Sequence, residues 1–106
     1  MTAPQTPRSP VPTQFSEVVT ELERVVQRWR QLPLDRALSY AGRVRALVQS
    51  LADGVAKATG VPASVVPDCG PATLMDQLTV LVYDASAAAV TSRLAEDLAN
   101  LRRELV

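Results

Sequence analysis

Between Phe15 and Leu32 the apolar side chains fall at Phe15, Val18, Val19, Leu22, Val25, Val26, Trp29 and Leu32. An α-helix gathers that spacing onto one face, and a strand scatters it. The intervening Glu17, Glu21, Glu23, Arg24, Gln27, Arg28 and Arg30 supply the wet face. A first helix is therefore expected from about Thr13–Ser16 to Leu32, with Thr13 or Ser16 as N-cap and Glu17 well placed in the first turn. Pro33 ends it, because the residue before a proline is forced out of the α region. A second stripe, Leu34, Ala37, Leu38, Ala41, Val44, Val48, Leu51, Ala52 and Val55, predicts a helix to about Thr59, closed by Gly60. Gly42 inside it costs about 1 kcal/mol relative to Ala and is expected to mark a close helix contact.

Residues 60–71 read as an irregular connection stiffened by Pro62, Pro67 and Pro71, with Val61, Val65 and Val66 apolar enough to fold back on the helices. From Ala72 to Leu105 there is neither Gly nor Pro, so one long third helix is expected. Its stripe starts as Leu74, Leu78, Leu81, Ala85 and Ala88, then re-phases to Leu94, Leu98, Leu101 and Leu105. That shift, with Thr91 and Ser92 available as caps, leaves room for a break near 88–92 and a fourth helix. Unbroken, the third helix would measure about 50 Å against roughly 28 and 38 Å for the others, and would overhang them. The sequence thus predicts an all-α antiparallel bundle of three helices, the third long and open to that break. Leu94, Leu98, Leu101 and Leu105 are the expected self-association seam of a homodimer.

Composition refines this picture. The 106 residues suffice for one core, and the only aromatics are Phe15, Trp29, Tyr40 and Tyr83, so the core must be built of Val, Leu and Ala. Pro4, Pro7, Pro10 and Pro12 predict a disordered tail over 1–13, leaving 14–106 as a single domain. Net charge is zero, yet residues 24–49 hold six arginines against one acid, Asp35. Arg24, Arg28, Arg36, Arg43 and Arg45 form the candidate basic patch.

Candidate chemistry is sparse. There is no histidine, which removes the commonest general base and most zinc sites. Cys69 is the one cysteine, so no intrachain disulfide forms and a reducing, cytoplasmic setting is expected. No signal-peptide pattern and no apolar run of about 18 residues is present, so no membrane segment is expected. These features predict no catalytic activity, no metal and no cofactor.

Ala56-Lys57-Ala58-Thr59-Gly60-Val61-Pro62-Ala63-Ser64-Val65-Val66 resembles the core of helix-turn-helix DNA readers: an Ala, a Gly four later, then Val and a further apolar residue. The resemblance implies a turn at Gly60 and a following helix in the major groove. It departs from the family where Pro67, Gly70 and Pro71 cut that helix short, and where the segment after Gly60 offers no Arg, Lys, Asn or Gln to read bases. The functional expectation is a protein-interaction or oligomerisation module whose partner is itself or another protein. The alternative is a DNA- or RNA-binding regulator using the Arg-rich hairpin of the first two helices.

Overall fold

The computed structural model describes residues 14–106. The expected Pro-rich tail, 1–13, and Thr13 as a cap lie outside the described residues. Four α-helices follow one another: α1 (Gln14–Gln31), α2 (Leu34–Thr59), α3 (Leu74–Ala87) and α4 (Leu94–Glu104), with a short 3-10 turn, Pro71–Thr73, leading into α3. Among the described residues there is no strand. The all-helical bundle is as expected, and the third apolar run resolves into two helices. Ser16 lies inside the first turn of α1 rather than at its cap.

The packing order differs from the chain order. α1 packs on α4 and, less extensively, on α3, while α2 packs on α3. Their shared core holds Val18, Leu22 and Val25 of α1, Val44, Leu47, Val48 and Leu51 of α2, Leu74, Met75, Leu78, Val82 and Ala85 of α3, and Leu94, Leu98 and Leu101 of α4, together with Leu105 just past the end of α4. Trp29 is partly buried against this cluster.

Gly60 ends α2 in the left-handed region at φ 75°, and the Val61 amide donates to the Ala56 carbonyl at 3.0 Å. Only glycine adopts that conformation without steric cost. The chain then returns along α2 as an extended strap. Gln49 holds it from both ends of its amide: Nε2 donates to the Ser64 carbonyl at 3.0 Å, and Oε1 accepts from the Val66 amide at 2.8 Å. Arg45 reaches Asp68 further back along the helix. From Thr59 to Arg45 is about 21 Å of helix, a distance eight or so extended residues cover. As a result α3 restarts beside the middle of α2 and runs parallel to it. No helix occupies 61–69, which corrects the helix-turn-helix expectation: Pro62, Pro67 and the pull of Gln49 hold that segment extended.

α3 ends without Gly or Pro. Ala89 takes φ 60°, the Ala89 amide donates to the Ser86 carbonyl at 3.1 Å, and the Val90 amide donates to the Ala85 carbonyl at 2.8 Å. This double hydrogen bond is the usual closure for a helix whose next residue is left-handed, made here with Ala in the place glycine normally fills. Val90 then lies against Gly54 of α2, where a Cβ would come within 3.3 Å of Val90 Cγ1. After Arg93 the chain starts α4, which runs back alongside α1 and antiparallel to α2.

Gly42 is the counterexample. A Cβ there would meet nothing within 4 Å, so the close helix contact expected at this position is absent from the described fold. Replacing Gly42 by Ala should raise stability in chemical denaturation by about 1 kcal/mol. Gly54→Ala should gain less than that, because its Cβ would come within 3.3 Å of Val90 Cγ1 and Val90 has to shift to admit it. Ala89→Gly should stabilise the fold by about 1 kcal/mol by relieving the left-handed alanine. An Ala89→Gly variant that unfolds earlier than wild type would show that α3 does not close in this way.

Candidate interaction surface on α1 and α3

The expected self-association leucines lie inside the chain's own core. Leu94 is 2% exposed, and Leu98, Leu101 and Leu105 are fully buried. The overhang that motivated an intermolecular seam disappears once the helix breaks, because α4 folds onto α1 and spends its stripe there. Those four side chains have no surface to offer a partner.

The arginines divide into two sets. On α2, Arg43 Nε donates to Glu104 Oε1 at 2.8 Å, Arg45 pairs with Asp68, and Arg36 donates to the Val106 carbonyl oxygen, which also accepts from Tyr40 Oη at 3.1 Å. On α1, Arg24 sits 3.5 Å from Glu21, whose other oxygen accepts from Arg102 Nε at 2.9 Å. Arg24 and Arg28 share a polar cleft of about 450 Å³ with Arg102. Of the five arginines in the candidate patch, Arg24, Arg36, Arg43 and Arg45 thus already have partners within the chain, three of them acidic.

Asp68 is the one carboxylate among the described residues with a clear shift. The Gly70 amide donates to its Oδ1 at 3.0 Å and holds its pKa below the ordinary aspartate value; partial loss of solvent opposes this, and Arg45 adds to it. Cys69, next along the strap, is exposed. Among the described residues no three His, Cys, Asp or Glu side chains gather where they could hold a metal ion. No helix among them is long and apolar enough to cross a membrane.

What the fold does leave at the surface is apolar. Phe15 of α1 is 45% exposed, and Val80 and Tyr83 of α3 are 57% and 46% exposed. Phe15 and Tyr83 meet edge to face, ring centroids 5.8 Å apart at 65°, a geometry aromatic quadrupoles favour. Beside them a groove of about 460 Å³ runs between the two helices, walled by Val19, Leu22, Val26 and Tyr83, with Glu23 and Arg30 on its rim. On the other side of Val80 a smaller hollow of about 310 Å³ is formed by Val66, Gln77, Val80 and Leu81. Asp76 also lines that hollow, which the strap flanks through Val66, while the groove lies on the α1 side of α3.

The α1 stripe read from the sequence places Phe15, Val19 and Val26 on the buried face with Val18, Leu22 and Val25. The signal was present in the width of the α1 stripe: eight apolar positions are more than one helix seam uses, and Phe15, Val19 and Val26 lie to one side of Val18, Leu22 and Val25. Only the latter three are buried by α3 and α4.

Because the folded-state pKa of Asp68 is lowered, its contribution to stability is present above the ordinary aspartate value and is lost as pH falls through the lowered one. In an NMR titration the Asp68 carboxyl should therefore titrate below unperturbed aspartate. Arg45→Met should move that midpoint only part of the way back, since the Gly70 amide remains. A full return to the ordinary value in Arg45→Met would overturn the assignment. Comparison with known proteins adds no relative: no protein-family model matches the chain, and no curated protein or solved structure matches it.

Proposed function

We propose that this chain is a non-catalytic protein-interaction module that docks partners on the outer face of α1 and α3. The supporting observation is the groove walled by Val19, Leu22, Val26 and Tyr83, with the exposed Phe15 ring packed on Tyr83 at its end and Glu23 and Arg30 in its lining. Large apolar side chains left exposed side by side, with polar residues around them, are the usual mark of a docking site. A groove between two helices suits the apolar face of a third helix. The single cysteine, exposed on the strap, accords with a cytoplasmic setting. The nucleic-acid alternative is less favoured, because Arg43 and Arg45 are neutralised by Glu104 and Asp68, and bound acids oppose the phosphate contacts such binding needs.

The test uses a phage-displayed library of amphipathic helices selected against the wild-type chain. The double variant Val80→Glu/Tyr83→Glu should cost about 1–2 kcal/mol of stability, mostly through loss of the Phe15–Tyr83 ring contact, and leave the fold intact. Selected helices should bind wild type and lose at least about tenfold in affinity on the variant, as expected when charge enters an apolar contact. Ligands that bind both chains equally would sink the reading.

A further inference from the structure

We propose that the natural occupant of the α1–α3 groove is a second copy of this chain, docked antiparallel through α1; this rests on the docking face described above. Val19, Glu23, Val26 and Arg30 follow one another at steps of four, three and four. That is the spacing with which two helices interlock, and all four line the groove. They form a second seam on α1, beside the one that faces α3 and α4.

The charges on this seam fix the direction. Glu23 and Arg30 are opposite in sign and seven residues apart, about 10 Å along the axis, too far to pair with each other. Neither makes an ion pair with any other described residue. A two-fold axis passing between Val26 and Gln27 sets Glu23 of each copy opposite the partner's Arg30, and brings the two Val26 side chains together at the centre. A parallel pairing would instead oppose Glu23 to the partner's Glu23 and Arg30 to the partner's Arg30. Like charges held face to face disfavour that arrangement. Because α1 runs antiparallel to α3, the partner's α1 runs parallel to α3, and the two copies of α1 overlap over 22–31, Leu22 of each opposite Gln31 of the other. The same surface then serves both copies, as a two-fold dimer requires.

Sedimentation equilibrium of the full chain tests this. Wild type should form a concentration-dependent dimer that weakens as salt is added. Glu23→Arg and Arg30→Glu should each raise the dimer dissociation constant roughly tenfold, since each places like charges opposite one another twice. The double variant Glu23→Arg/Arg30→Glu should return it to within about threefold of wild type, because the swapped charges meet again. Circular dichroism checks that each variant stays helical; Glu23→Gln and Arg30→Gln, which keep helix propensity, replace any that does not, and should each weaken the dimer. A double swap no better than the single reversals overturns the antiparallel pairing. A wild-type chain that stays monomeric while the phage-selected helices still bind overturns the second copy and leaves the docking face standing; loss of both results overturns both.

Discussion

The approach of Val90 to Gly54 governs how the second half of this chain is arranged. A side chain on residue 54 would press on Val90, so glycine lets the turn after α3 sit directly on α2. With the turn seated, the chain reverses between Ala88 and Arg93 and α4 is sent back along α1. The left-handed Ala89 is tolerated because this packing and two closing hydrogen bonds hold it there. Once reversed, α4 buries Leu94, Leu98 and Leu101 against α1, each worth about 1.5–3 kcal/mol of apolar burial. The reversal therefore converts a helix that would project into solvent into one wall of the core.

The strap solves a second geometric problem. α3 must run parallel to α2, which a short turn cannot arrange, so the connection has to travel back along α2 first. Extended backbone needs partners for its amides and carbonyls. Gln49 supplies one of each, Gln77 donates to the Pro67 carbonyl at 2.9 Å, and Asp68 is held between Arg45 and the Gly70 amide. Surface arginines that resemble a binding patch in the sequence are in this way drawn into fixing the chain's own path. The charges of Arg43 and Arg45 are spent locally on Glu104 and Asp68.

Function then rests on what remains uncovered. Two helices, α3 and α4, can bury one side of α1 and no more. The flank carrying Phe15, Val19 and Val26 is left beside Tyr83, giving a groove of mixed lining in which Gln27 and Thr79 join the apolar side chains, with one acid and one base, Glu23 and Arg30. The proposed docking face is left open by the same packing that hides the leucines of α4.

Local sequence determined the helices themselves. The α1 and α2 stripes, the stop at Pro33 and the cap at Gly60 depend on contacts within a few residues, and their boundaries fall within one or two residues of those expected. Phase change at Thr91 announced that something altered near 88–92. Whether the helix bent, broke or extended to meet another chain was not legible, because Ala87, Ala88 and Ala89 all favour helix and the deciding contact lies 36 residues away at Gly54. Which half of the α1 stripe would be buried was equally hidden, since periodicity marks a face without saying what covers it. Short-range spacing thus determined which segments are helical, and only long-range packing decided which apolar side chains became core and which stayed at the surface.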